Sequence, residues 1–254
     1  MTFDPETRLA ASPCSNPKLP LKDVLAAYSR IGYRKFEAFT SWAASALDFE
    51  SEPAAHRNTA ERFGMTFSSM HLPRLDGSAE TLSAAVRATQ FAERIGARVA
   101  IFKADSRENY IAAAQDFLDA VEGLSIIPVL QNHSGTPLTT LEDMLNVRSG
   151  IDDSRMKTLL EVGHLHSAGV TWREAYQALK DSIALVHIKD QIGSESVPFG
   201  EGEIDIAGLF SRLEADGYDG DYVVEMEVPR AGDERTFELL RDARDYIRGI
   251  ALES

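Results

Sequence analysis

The chain has 254 residues, 44% of them hydrophobic and 26% charged, and its 26 basic and 40 acidic side chains leave a formal charge of −14. That balance repels phosphate backbones and anionic membranes, so nucleic-acid and membrane partners are disfavoured. No apolar run approaches the roughly 18 to 20 residues that span a bilayer, no basic-then-apolar leader opens the chain, and the single cysteine, Cys14, cannot form an internal disulfide; a cytoplasmic protein is expected.

Taken in chain order, strand-like runs begin near Thr7, Tyr33, Met65, Arg98, Ser125, Met156, Ser182 and Asp221. The first, "TRLAASP", is short and bland. The others include "YRKFEAF", "MTFSSMHL", "ARVAIFKA" and "LSIIPVLQNH", then "SIALVHI" and "DYVVEMEV". Most are continuous apolar runs, as expected when both faces of a parallel sheet are covered. Glycines at 32, 64, 96 and 123 each close a helical pattern just before a strand, because glycine alone takes positive φ without a Cβ penalty. Between strands, apolar residues fall on one helical face, for example Tyr110, Ala114, Phe117, Leu118 and Val121. About eight alternating units with no linker predict a single-domain α/β fold over residues 1–254, a (β/α)8 TIM barrel. A doubly wound open sheet is the alternative, but no glycine-rich phosphate fingerprint follows any strand.

In such barrels functional groups gather at the C-terminal strand ends. Here seven of those ends carry ionisable or amide side chains: "FEAF", "SSMHL", "IFKA", "VLQNH", "LLEVGH", "VHIKD" and "VVEME". Gln131, Glu161, His187 and Glu225 come from the last four strands. If all point inward, they offer a hard-cation site suited to Mn²⁺, Mg²⁺ or Co²⁺, with Zn²⁺ also accommodated. Gln131 is equally well read as a structural glutamine bonded across the barrel. Inward parity also brings Lys189 and Glu227 to the mouth, joined from earlier strands by Glu37, His71 and Lys103 as candidate substrate contacts. Phe39 and Trp42 offer an apolar wall, or plain packing. "FGEGEID" reads as a turn with Asp205 capping the next helix.

The segments "QNHSG", "EVGHLHSAG", "HIKD", "GEGEID" and "GYDGDYVVEME" together resemble the xylose-isomerase-like superfamily of sugar isomerases, epimerases and lyases. The resemblance is strongest from Pro128 to Val228. It implies a TIM barrel with a divalent metal held by Glu, Asp, His and Glu, the His matching His187 and the last Glu matching Glu225. It also implies a sugar substrate and admits a homo-oligomer. Two positions depart from the pattern: Gln131 stands where the family commonly has Glu, and Glu161 where it commonly has Asp. Glu161 keeps a carboxylate. Gln131 can ligate through its amide oxygen but cannot act as a base near neutral pH.

Epimerisation by two opposed glutamates is therefore disfavoured, and a one-base isomerase or β-eliminating dehydratase is favoured. Glu225 is the first candidate base. His164 matches the family's substrate-contacting histidine, and His164 and His133 are candidate acids or oxyanion donors. An epimerase, a non-catalytic sugar-binding barrel and a partner-dependent subunit stay as alternatives. The family's endonuclease branch is disfavoured by the acidic charge. No phosphate cradle is visible, which favours an unphosphorylated substrate.

Overall fold

The computed structural model describes residues 4–253. Eight parallel strands close into a barrel: β1 (Leu9–Ala11), β2 (Lys35–Phe39), β3 (Thr66–Leu75), β4 (Val99–Ala104), β5 (Ile127–Gln131), β6 (Lys157–Glu161), β7 (Ile183–Ile188) and, after a hairpin, β10 (Asp221–Val224). The hairpin pairs β8 (Asp190–Ile192) with β9 (Glu195–Val197) antiparallel. Around the barrel the order is β1-β10-β7-β6-β5-β4-β3-β2, so β10 faces β4 across the bore and β7 faces β3. Among the described residues no helix is long and apolar enough to cross a membrane.

Helix boundaries follow the local chemistry. Ser78 accepts from the Thr81 N–H at the start of helix Ala79–Ile95, and Gly96 ends that helix at φ 92°, the left-handed conformation glycine adopts without strain. Gly32 closes helix Leu21–Ile31 in the same way, at φ 110°.

Two apolar layers result from strand alternation. Phe36, Phe67, Phe102, Leu130, Leu160, Val186, Ile188, Tyr222 and Val224 face outward into the helix-covered core. A separate cluster, Ala10, Val99, Ile101, Val129, Leu159, Leu185 and Val223, fills the bore. This plug is the floor on which the polar residues stand.

Two expectations need correction. The first strand starts at Leu9, because Pro5–Arg8 forms a helical turn capped by Asp4. The hairpin after β7 was unforeseen: its strands are three residues each and largely polar, too short for a period to show. Asp190 explains its position. Its buried carboxylate accepts from the N–H groups of Gln191 (3.0 Å), Gly200 (2.9 Å), Gly202 (3.0 Å) and Ile204 (3.4 Å), fastening the segment read from sequence as a turn. Asp205 caps helix Ile206–Ala215 as expected.

Replacing Asp190 by Ala leaves several backbone donors without a partner. Urea unfolding is expected to show a loss of about 2 kcal/mol or more; an unchanged midpoint would mean that the carboxylate does not organise this loop.

Candidate metal centre at the barrel mouth

Strand parity builds the site. On six strands a residue of the apolar plug is followed two positions later by a polar one: Ala10 by Ser12, Ile101 by Lys103, Val129 by Gln131, Leu159 by Glu161, Leu185 by His187 and Val223 by Glu225. Side chains two apart share a face, so the six polar groups, with Glu37 and His71 from β2 and β3, form a ring above the plug.

His187 sits at its centre, with no exposure to solvent. Its Nε2 lies 2.9 Å from Glu37 Oε2. Its Nδ1 lies 3.0 Å from Glu161 Oε2 and 3.2 Å from Glu225 Oε1. Glu37 is steadied by the hydroxyls of Ser12 (3.0 Å) and Ser69 (2.8 Å), and its other oxygen is 3.2 Å from His71 Nε2. The second oxygen of Glu225 meets Lys189 Nζ at 2.6 Å, and the same ammonium donates to Glu227 Oε2 at 2.8 Å.

Burial alone disfavours charge on each of these groups, and mutual pairing overrides it for most. His187 and His71 hold Glu37 far below the usual carboxylate range despite burial. For Glu225 the same is done by Lys189 and His187. At Glu161 burial and the Glu225 charge push upward, yet Lys189 and His187 bring its pKa down. Against burial, the surrounding carboxylates raise His187 and Lys189 well above their ordinary values. Glu227 moves the other way, raised by burial and by repulsion from Glu225. His71 is pushed down to about 4 by burial and then by Lys103, and His164 to about 4 mainly by burial.

A divalent cation fits this donor set. His187 Nδ1 and Glu161 Oε2 are buried without a hydrogen-bond partner although they lie close together. They are within reach but not aligned as donor and acceptor. Donor separations of 3.0 and 3.2 Å are those of ligands sharing one ion at about 2.1 Å. Charge points the same way: in and beside the ring the four carboxylates Glu37, Glu161, Glu225 and Glu227 outnumber the three cations His187, Lys189 and Lys103. Two carboxylates and an imidazole suit Mn²⁺, Mg²⁺, Co²⁺ or Zn²⁺. Glu37 would then act as the outer carboxylate that fixes the imidazole's tautomer.

Above the ring opens a cavity of about 370 Å³, lined in part by Gln131, Glu225 and Glu227, with His71, Lys103 and His133. Gln131 is buried and makes no hydrogen bond to Glu161, His187 or Glu225; its amide is the available fourth donor. Lys189 does not line the cavity, contrary to expectation. It is 1% exposed and held by Glu225 and Glu227, so its role is to position them. Gly163 makes room for it, since a Cβ there would meet Lys189 Cγ and Cδ at 2.5 Å. Glu37 likewise lies beneath the cavity rather than at its mouth. His133 falls past the end of β5, its ring 4.0 Å from that of His164, which stands behind it bonded to Ser134. Phe39 stacks on His71 at 4.0 Å, and Trp42, 65% exposed, packs beside Phe39 at the rim.

Ser12, Ser69 and Arg74 escaped the sequence reading. Ser12 was open to the parity rule, had the bland first strand been trusted. Arg74 was not, because the β3–β4 register shifts between His71 and Arg74.

The fold and site define the class. The chain belongs to the xylose isomerase-like TIM-barrel family, whose sequence profile matches residues 25–250. The inosose dehydratase of Geobacillus thermodenitrificans (strain NG80-2) is 30% identical over 150 residues, 52% of this chain and 49% of that protein. The L-ribulose-5-phosphate 3-epimerase UlaE of Salmonella paratyphi A is 32% identical over 90 residues, 35% of this chain and 31% of that one. The chain thus matches about half the length, or less, of these relatives. In fold it is similar to the zinc-bound IOLI protein, with a TM-score of 0.77, 15% identity and coverage of 97% and 99% of the two chains. It is also similar to the probable 3-DHS dehydratase AsbF of Bacillus anthracis, with a TM-score of 0.75, 14% identity and coverage of 95% and 99%.

Two outcomes follow from the geometry. Glu37→Gln weakens the hold on His187 without removing a donor of the trio, and should lower Mn²⁺ affinity about 10- to 100-fold in a calorimetric titration. Separately, His71 has a folded pKa of about 4, below its unfolded value of about 6.5. The unfolded state therefore binds more protons in that window, and stability falls as pH drops from about 6.5 to 4. His71→Gln should lower proton uptake on unfolding by about one in that window and so flatten the slope, read from urea midpoints across the range.

Proposed function

We propose that this chain is a divalent-metal-dependent enzyme that isomerises or dehydrates a sugar, keto-sugar or cyclitol. One observation carries the reading: Glu161 Oε2, His187 Nδ1 and Glu225 Oε1 crowd together at the cavity floor, which Glu225 lines, two of them without hydrogen-bond partners. A divalent ion bound there supplies Lewis acidity toward adjacent carbonyl and hydroxyl oxygens of the substrate.

The remaining roles fall to the chain's own side chains. Glu225 is a poor base, because both its oxygens are engaged and Lys189 and His187 depress its pKa. Glu227 suits the task better. It lines the cavity with a side chain 40% exposed and a raised pKa, closer to the neutral range in which a general base works well. Glu227 takes the carbon-bound proton next to the carbonyl, and Lys189 fixes it in place. His133, also on the cavity wall, hands a proton to a departing hydroxyl in an elimination, or returns one to a neighbouring carbon or oxygen in an isomerisation. Gln131 leaves its wall without the second carboxylate that epimerisation by two opposed bases requires. The inosose dehydratase relative favours elimination on a cyclitol ketone.

The test is proton exchange in D₂O with Mn²⁺ present, using inososes and ketopentoses and following deuterium at the carbon beside the carbonyl by NMR. The wild-type chain should exchange it and release either a conjugated enone or an isomerised sugar. Glu227→Gln should slow exchange about 10²- to 10⁴-fold. Protein that takes up no Mn²⁺, or exchange undiminished in the variant, overturns the assignment.

A further inference from the structure

The cavity has a second pole that the metal-centred chemistry leaves unused. Lys103 ends the inward face of β4 and Arg74 is its register partner on β3. Both line the cavity. By strand order β4 stands across the bore from β10, which leads into Glu225 and Glu227, and β3 across from β7, which carries His187. The cavity-lining carboxylates, Glu225 and Glu227, thus stand on one wall and two cations on the other.

These cations have no carboxylate of their own. Among the described residues neither Lys103 nor Arg74 forms an ion pair, and the Lys103 ammonium lies 5.6 Å from the centre of the Phe39 ring. Elsewhere around the ring the buried charges are paired, Lys189 with three carboxylates and His187 with three. In a chain with a charge of −14, leaving a sheltered lysine unpaired is not for want of acidic residues. A partly desolvated cation without a counter-charge is costly. Desolvation accordingly pulls the Lys103 pKa down to about 8, with the neighbouring Arg74 adding to the fall and Glu37 opposing it. A lysine so placed costs stability on its own and gains when an anion arrives between it and the exposed Arg74.

We infer that Lys103 and Arg74 form an anion subsite, and that the substrate is an acid: a polyhydroxylated ring or chain bearing a carboxylate or phosphate at the end away from the metal centre. This inference rests on the proposed function, in which the cavity holds the reacting sugar or cyclitol. It narrows the substrate class and sets its orientation, with the carbonyl toward Glu225 and Glu227 and the anionic group toward β3 and β4. Should the anion be a phosphate, it also reverses the expectation of an unphosphorylated substrate. A fork of guanidinium and ammonium from adjacent strands serves as the cradle that no glycine-rich loop supplies.

The test compares three ligands by calorimetry on the Mn²⁺-loaded protein: myo-inositol, its 1-phosphate, and quinate as a cyclitol carboxylate. The charged pair should bind at least about tenfold more tightly than myo-inositol. Lys103→Met and Arg74→Gln should each erase about tenfold of that preference while leaving neutral-ligand affinity and Mn²⁺ uptake unchanged. The tighter of the two charged ligands identifies the group as phosphate or carboxylate. Neutral binding as tight as charged, a preference that survives both substitutions, or no binding of either charged ligand overturns the inference. Mn²⁺ uptake in the same preparations separates the two readings. Metal bound without charge preference removes the anion subsite alone, and anion binding through Lys103 and Arg74 without metal removes the proposed function alone.

Discussion

The imidazole of His187 is gripped from both sides inside a sealed bore, and the rest of the site is arranged around that grip. Glu37 holds Nε2 from the β2 side, while Glu161 and Glu225 approach Nδ1 from β6 and β10. Burying three carboxylates and a histidine together is tolerable only if each charge meets its opposite and the remaining lone pairs find donors. The two serine hydroxyls on Glu37 and the Lys189 ammonium on Glu225 meet that demand. The residual negative excess suits the centre to a cation. Ser12, Ser69, Lys189 and Gly163 are thus as much part of the chemistry as the donors they steady.

Much of this was legible in the sequence, for a definite reason. Barrel strands alternate with a strict period of two, and a continuous apolar run ending in a charged residue marks both the strand and its functional end. Glu161, His187 and Glu225 were found this way, and the structure brings those three together. Parity gives direction but not depth, and that is where the reading fell short. Lys189 shares the inward face of His187, yet its long stem folds beneath the cavity because Gly163 leaves a gap there. Glu37 has the inward parity of a mouth residue, but it sits deeper, among Ser12, Ser69, His71 and His187. The Asp190 hairpin and Arg74 lay beyond reach for related reasons, the first too short to show a period and the second shifted by a break in register.

The electrostatic division of the cavity changes how one departure from the family pattern, Gln131, is understood. Gln131 stands between the acidic wall and the cationic one, on β5 between β6 and β4. A glutamate there would add a further negative charge beside Lys103 and draw that lysine into an internal ion pair. A neutral amide keeps the lysine unspent. A neutral amide at Gln131 and an unpaired Lys103 are thus two sides of one electrostatic arrangement.

The apolar plug has a kinetic meaning of its own. Seven close-packed side chains, from Ala10 to Val223, stopper the bore below the polar ring, and a dry hydrocarbon layer conducts neither water nor hydronium. The barrel is a vessel open at one end. In the proposed reaction every proton gained or lost would travel through the same doorway as the substrate, past Glu227 and His133, and would not be exchanged from beneath while that doorway is filled.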